Sequence, residues 1–138
     1  MSRHGYHFLP AKDEAFRRAL DELIERHQNL VPNIPALPST VIHSAVELFK
    51  HMEHEHIAAG LGDIDTSREA GDKEGLVELR PDTNDLLIAI KRNVWMYDTT
   101  MFNKRQIITA AIRNMSVLSD ATLAKALGAL YGTSVTRN

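Results

Sequence analysis

The chain repeats one short pattern of apolar and polar residues, and this repeat limits its fold more than any other feature. The segment YHFLP at 6–10 is answered by VELRP at 77–81, and VIHSAVELF at 41–49 by IITAAIRNM at 107–115. The second pair aligns Ala45 with Ala111, each between apolar residues of one helical stripe. A small residue at that place lets another helix come close. The sequence therefore predicts two similar units, each with a strand followed by two helices.

Apolar spacing and helix-breaking residues divide the chain into four parts. Residues 1–57 are predicted to form the first strand-helix-helix unit, whose two helices are separated by the proline-rich connector VPNIPALP. Residues 58–75 contain four glycines and five acidic residues and predict a linker. Residues 76–118 are predicted to form the second unit, and residues 119–138 a C-terminal helix and tail. Ser39 and either Ser119 or Asp120 are predicted helix N-caps, and Gly132 a helix stop.

Each predicted strand is too short to satisfy its own backbone hydrogen bonds and must pair. The nearest partner of equal length is the strand of the other unit. Antiparallel pairing would make a two-stranded ribbon over four helices, with Phe8 and Leu79 directed into the core. The predicted fold class is mainly α with a small two-stranded antiparallel ribbon.

The segments that carry this pattern resemble the ribbon-helix-helix family of DNA-binding proteins, of the Arc and MetJ type. They are VELRP, DLLIAI and NKRQIITAAIRN in the second unit, and YHFLP, AFRRALDELI and STVIHSAVELF in the first. The resemblance implies a tandem ribbon-helix-helix fold with an added C-terminal helix. It also implies sequence-specific binding of double-stranded DNA, as a transcriptional regulator or a plasmid or phage DNA-processing accessory protein. The chain departs from the family in its longer loops, its added helix and its net charge of −2.

The resemblance also implies which residues would contact DNA. A two-stranded ribbon fits the major groove, and His7 and Arg80 would point outward from it. Glu78 would point the same way and repel phosphate, which weighs against the interpretation. In this family phosphate is anchored at the N-terminus of each unit's second helix, where N–H groups and the helix dipole attract an anion. The residues at that place are Asn103, Lys104 and Arg105 in the second unit and Ser39 and Thr40 in the first.

A histidine-rich segment, KHMEHEH at 50–56, offers a possible metal site. Its weak candidate ligands are His51, His54 and Glu55, since two histidines and a carboxylate bind zinc when they converge. With His43 they would lie on one exposed side of a helix, opposite its apolar stripe and without ligands from a second helix. A solvated, pH-sensitive face is therefore the favoured interpretation. His27 falls on the apolar side of its helix and is predicted to be a core histidine with a hydrogen bond.

No catalytic motif is present: the sequence contains no Gly-rich phosphate loop, no GxSxG and no HExxH. Its lack of cysteine excludes disulfides, thiolate zinc sites and cysteine nucleophiles. The sequence thus predicts a protein that is not an enzyme and needs no cofactor. Without a visible signal peptide or a long apolar run, it predicts a cytoplasmic location and no membrane partner.

A second interpretation remains open. The chain can be an all-helical protein-protein interaction adaptor, or a phage or plasmid structural subunit, that binds no nucleic acid. Residues 4–9 and 76–80 would then be loops, and the apolar stripes would form a five-helix bundle. Both interpretations predict a homo-oligomer or a protein partner.

Overall fold

The computed structural model describes residues 6–8, 14–52, 56–57, 60–61, 77–98 and 104–132, except for the side chains at 6–8, 14–15, 77–78, 96–98 and 105. Within these residues the protein is mainly α-helical, as the sequence predicts. Five helices lie wholly within these residues: α1 (Glu14–Leu30), α2 (Pro38–Lys50), α3 (Pro81–Asp98), α4 (Lys104–Ser116) and α5 (Asp120–Tyr131). In this described part of the chain, none of the helices is both long and apolar enough to span a membrane.

Two short backbone segments, β1 (Tyr6–Phe8) and β2 (Val77–Leu79), run antiparallel and are hydrogen-bonded to each other. Tyr6 lies opposite Leu79, and His7 lies opposite Glu78. Leu79 is buried, and β2 also packs against α2. The end of the second segment is therefore attached to the helical core.

The centre of the core is the contact between α2 and α4, which is the most extensive helix contact in the described residues. Ala45 and Ala111 are both fully buried, as expected if small residues allow the close approach of two helices. Each alanine is surrounded by four large buried residues at matching positions. These are Val41, Ile42, Val46 and Phe49 on α2, and Ile107, Ile108, Ile112 and Met115 on α4.

The first helices of the two units also match each other in burial. Each buries four residues at the spacing i, i+4, i+7 and i+11, which places them on one helical face. These are Phe16, Leu20, Leu23 and His27 on α1, and Thr83, Leu87, Ile90 and Val94 on α3. Each first helix makes more contact with the second helix of the other unit than with that of its own. The two halves therefore share one core.

The helix ends agree only partly with the sequence-based predictions. Ser119 is the N-cap of α5, and its hydroxyl accepts the N–H of Thr122 at 3.2 Å. Gly132 ends that helix at a φ of 68°, a left-handed conformation that favours glycine. The prediction for Ser39 is wrong: Leu37 is the N-cap of α2, and Pro38 is its first residue. Proline suits this position because the first N–H of a helix has no intrahelical acceptor.

The start of the predicted linker belongs to the core. Leu61 is helical and fully buried. Ile57, the last residue before the predicted linker, is also helical and fully buried. Gly60 lies against the Phe49 ring, which a β-carbon there would meet at 3.8 Å. Leu61 therefore packs into the core, although it falls within the predicted linker at 58–75. Residues 62–75 lie outside the described part of the chain.

Candidate nucleic-acid interface

Arg80, the predicted base-reading residue, directly follows β2 and is held by a nearby carboxylate. Its guanidinium donates two hydrogen bonds to Asp82, from Nε to Oδ1 at 3.1 Å and from Nη2 to Oδ2 at 2.6 Å. Burial acts to raise the pKa of Asp82, but the hydrogen bond from Arg80 and the nearby positive charge lower it. The Arg80 side chain is 38% exposed. An ion pair at such a surface contributes at most about 1 kcal/mol, so another anion can compete for the guanidinium.

Lys104, the predicted phosphate anchor, begins α4 and is half-buried. Its Nζ donates a hydrogen bond to Oδ1 of Asn84 at 2.6 Å. The N–H of Asn84 in turn donates to the carbonyl oxygen of Arg80 at 3.3 Å. The first turn of α3 thereby connects the end of β2 with the start of α4. Arg80 and Lys104, which are distant in sequence, border this same turn.

The equivalent place in the first unit is the first turn of α2, which contains Ser39 and Thr40. Both are partly exposed, and neither side chain caps the helix. The carbonyl oxygen of Thr40 accepts a hydrogen bond from the Ser44 hydroxyl at 3.1 Å. This turn offers an anion the positive end of a helix dipole and two hydroxyl groups, but no charged side chain of its own.

Three other predicted contact residues cannot be placed by their side chains. The backbone of His7 lies in β1, and that of Arg105 in the first turn of α4, but the described residues do not include their side chains. Asn103 lies outside the described residues altogether. The predicted roles of these three residues stay predictions.

The predicted metal ligands are not brought together within the described residues. His51 is exposed just beyond the end of α2, where its backbone N–H donates to the carbonyl oxygen of Leu48 at 3.2 Å. His54 and Glu55 lie outside the described residues. Among the residues that the structure describes, no group of three His, Cys, Asp or Glu side chains is arranged to hold a metal ion.

His43 makes a contact that the sequence did not indicate. The pattern placed it on the face of α2 opposite the apolar stripe, yet its side chain is only 12% exposed. Its Nδ1 lies 2.8 Å from Oγ1 of Thr83, in the first turn of α3. Its Nε2 lies 3.8 Å from a carboxylate oxygen of Glu47 and 3.9 Å from one of Asp82. Burial and then the Arg80 charge lower the pKa of His43, against the opposing effect of these two carboxylates.

The first turn of α3 is thus the meeting point of the candidate interface. His43 from α2, Lys104 from α4 and Arg80 from the end of β2 all contact it. The sequence offered one indication of this contact. Thr83 lies in line with the buried apolar residues of α3, and a buried hydroxyl needs a hydrogen-bond partner.

Comparison with known proteins finds no matching family model, no matching curated protein and no matching solved structure. The function must therefore be inferred from the chain's own residues.

Proposed function

We propose that the protein is a tandem ribbon-helix-helix protein that binds double-stranded DNA in a sequence-specific manner. It would act as a transcriptional regulator or as a plasmid or phage DNA-processing accessory protein. The observation that carries the proposal is the equivalence of the two halves. Their helices bury residues at matching positions, and each first helix packs mainly on the other half's second helix. This packing supports the interpretation that the chain contains two fused copies of one unit, and that each copy folds by packing against the other.

The antiparallel pairing of β1 with β2 supports the DNA-contacting part of the proposal. A two-stranded ribbon has the dimensions of the major groove, where all four base pairs can be distinguished. Arg80 stands at the end of one strand. In the proposed complex its guanidinium leaves Asp82 for O6 and N7 of a guanine, the commonest specific arginine contact.

The starts of α2 and α4 are the proposed phosphate anchors. Lys104 and Arg105 supply positive charge at the second anchor, beside Asn103. Ser39 and Thr40 supply hydrogen bonds at the first. Because phosphate contacts position a protein without reading sequence, both anchors serve to seat the ribbon in the groove with His7 and Arg80 toward the bases.

The salt dependence of duplex binding tests the anchors. We expect wild-type protein to bind duplex DNA at low salt, with an apparent affinity that falls steeply as salt rises. A Lys104→Ala, Arg105→Ala double variant should reduce the salt slope by about one for each phosphate contact removed. Fluorescence anisotropy of a labelled duplex measures both quantities.

Two control variants separate lost charge from lost structure. Lys125→Ala removes an exposed positive charge from α5, on a different helix from the proposed anchors. Asn84→Ala removes the hydrogen-bond acceptor of Lys104 but keeps the lysine charge. Both should keep the wild-type salt slope. The anchor assignment is wrong if the double variant, still folded by circular dichroism, also keeps that slope.

The base-reading role of Arg80 needs a selected DNA site. In vitro selection from random duplexes should enrich a guanine-containing sequence, and Arg80→Ala should weaken binding to it by about 1–3 kcal/mol. Its binding to unrelated duplex should change much less. Equal losses on the two duplexes would remove Arg80 from the reading role.

Protein-protein interaction without nucleic acid is the second candidate function. It is favoured by the net charge of −2 and by the ion pair that Arg80, the proposed base-reading residue, forms with Asp82. It is also favoured by two large apolar side chains exposed on α3, Ile88 and Trp95. Folded wild-type protein that binds no duplex even at low salt would favour this candidate over the first.

A further inference from the structure

Helix α3 carries large apolar side chains on two different sides. Its inner side packs into the core through Leu87, Ile90 and Val94. On its outer side Ile88 is 42% exposed and Trp95 is 49% exposed, two helical turns apart. The exposed charged residues Asp85 and Arg92 lie on the same outer side. We call these four residues, Asp85, Ile88, Arg92 and Trp95, the α3 outer face.

The matching helix of the first unit shows that this apolar surface is not needed for folding. Aligning the buried residues of α1 with those of α3 sets Asp21 at the position of Ile88 and Gln28 at that of Trp95. Both of these α1 residues are exposed and polar. Helix α1, which packs in the same way as α3, therefore has polar residues at the two positions where α3 exposes apolar ones. The exposed isoleucine and tryptophan on α3 therefore require another explanation.

We propose that the α3 outer face binds the same face of a second copy of this chain, with the two α3 helices antiparallel about a two-fold axis. The charges identify a second copy as the occupant because they complement themselves. Asp85 precedes Ile88 by about one turn and Arg92 follows it by about one turn. In an antiparallel pair each Asp85 lies near the other copy's Arg92, and the two Ile88 side chains meet near the axis. A parallel pair would place like charges together.

The residue types suit such a contact. Tryptophan and arginine are the residues most often found to dominate binding energy at protein interfaces. A two-fold contact uses one patch twice, so two large apolar side chains and one opposite-charge pair per chain become four side chains and two pairs. Trp95 of each copy would lie over the first turn of the other copy's α3, where Pro81 is exposed.

Self-association of the full chain without DNA provides the first test. Sedimentation velocity over a range of protein concentrations should show a monomer–dimer equilibrium. Trp95 is the only tryptophan, so its emission should shift to the blue as the dimer forms and the indole leaves water. Ile88→Asp should weaken association at least about tenfold, because it places an unpaired carboxylate at the axis.

Val117→Asp is the matched control, since Val117 is 78% exposed and lies outside α3. It should associate as wild type does. A wild-type chain that stays monomeric at every concentration overturns the proposal and leaves the face to another protein. Equal weakening by Ile88→Asp and Val117→Asp also overturns it.

A charge exchange tests the antiparallel orientation. Asp85→Arg alone brings two positive residues together at both ends of the contact, and Arg92→Asp alone brings two negative ones together. Each single variant should be mainly monomeric, whereas a mixture of the two should form mixed dimers in which opposite charges meet. The double variant should regain self-association. A mixture that associates no better than its components overturns the arrangement.

This contact does not depend on DNA binding. Its failure would leave the proposed DNA function standing, and a dimer that binds no duplex would support the contact while removing that function.

Discussion

Nε2 of His27 lies 3.0 Å from the hydroxyl oxygen of Ser44, and the Tyr131 hydroxyl contacts the same oxygen. The three residues come from α1, α2 and α5, so one buried serine connects three helices. The His27 side chain has no solvent exposure, and its ring meets that of Tyr131 edge-on, with 6.0 Å between centroids. The predicted core histidine with a hydrogen bond is confirmed.

One proton arrangement satisfies all contacts of the Ser44 hydroxyl. Its hydrogen is donated to the carbonyl oxygen of Thr40 at 3.1 Å, and its two lone pairs accept from Tyr131 and from Nε2–H of His27. The imidazole is then neutral, and its Nδ1 is a buried acceptor without a partner. A proton on Nδ1 would bring charge into this site with no acceptor for it. This explains why burial lowers the pKa of His27.

We first predict that stability falls as the solution becomes acidic. The pKa values of His27 and His43 are both lowered from 6.5 in the folded protein, mainly by burial. Between the folded and unfolded pKa values the unfolded chain therefore binds more protons. The stabilisation is fully present above the unfolded pKa of about 6.5 and is lost as pH falls through the lower folded values. Urea unfolding from pH 8 to pH 5 measures this loss.

Replacing the buried imidazole should reduce this pH dependence. His27→Leu substitutes an apolar side chain, and the matching position of α3 is already an apolar residue, Val94. Its unfolding free energy should vary less between pH 8 and pH 5 than that of wild type. His51→Gln changes an exposed histidine and should leave the wild-type dependence intact. A wild-type pH profile in His27→Leu would show that His27 is not the group responsible.

Our second prediction concerns the Ser44 hydroxyl. Ser44→Ala removes the partner of His27 and of Tyr131 together, and should cost about 1–3 kcal/mol because buried polar groups are left unpaired. Tyr131→Phe removes one hydrogen bond and should cost about 1 kcal/mol. The two losses should not add in the double variant, since both report the same contact. Additive losses in urea unfolding would show that Ser44 and Tyr131 are not coupled.

The sequence predicted the helices well because their burial follows directly from apolar spacing. Every pair of apolar residues that the repeat aligns between α2 and α4 is buried, including Ala45 and Ala111. His27 was also predictable, since a histidine on an apolar face needs a buried partner. The partner itself was not predictable, because Ser44 and Tyr131 come close to His27 only when three helices pack together.

The candidate interface was less predictable for the same reason. Spacing shows which face of a helix is buried, but not which polar residue of another element will meet it. His43 therefore appeared solvated, although Thr83 covers it. Arg80 and Lys104 were selected separately from a resemblance, and only the fold shows that one turn of α3 lies between them.

Our third prediction concerns Arg26, which holds the junction of α4 and α5. Its guanidinium donates to the carbonyl oxygens of Leu118 at 2.6 Å and Ser116 at 3.4 Å, and to Oδ1 of Asp120 at 2.8 Å. Arg26→Ala should lower the unfolding free energy by about 1–3 kcal/mol, since carbonyls at the end of α4 lose their donor. The substitution should also accelerate amide hydrogen exchange more in α5 than in α2.

Two further variants separate geometry from charge at this junction. Arg26→Lys keeps the charge, but one ammonium cannot reproduce the planar fork of donors, so it should recover less than half of the loss. Asp120→Asn removes only the ion pair, whose acidic side chain is 73% exposed, and should cost less than about 1 kcal/mol. Full recovery by lysine would mean that charge alone holds the junction.

Our fourth prediction concerns the small residues at the α2–α4 contact. Ala45 and Ala111 are fully buried, one on each of the two helices that make the most extensive contact in the described residues. Leucine at either position adds volume that this contact cannot accept without moving the helices apart, and should cost about 1–3 kcal/mol or more. Ala129→Leu places the same side chain on the exposed side of α5 and should cost less than about 0.5 kcal/mol. If urea unfolding shows that Ala45→Leu and Ala111→Leu are tolerated as well as Ala129→Leu, the two helices do not meet through their alanines, and the equivalence of the two units loses its central contact.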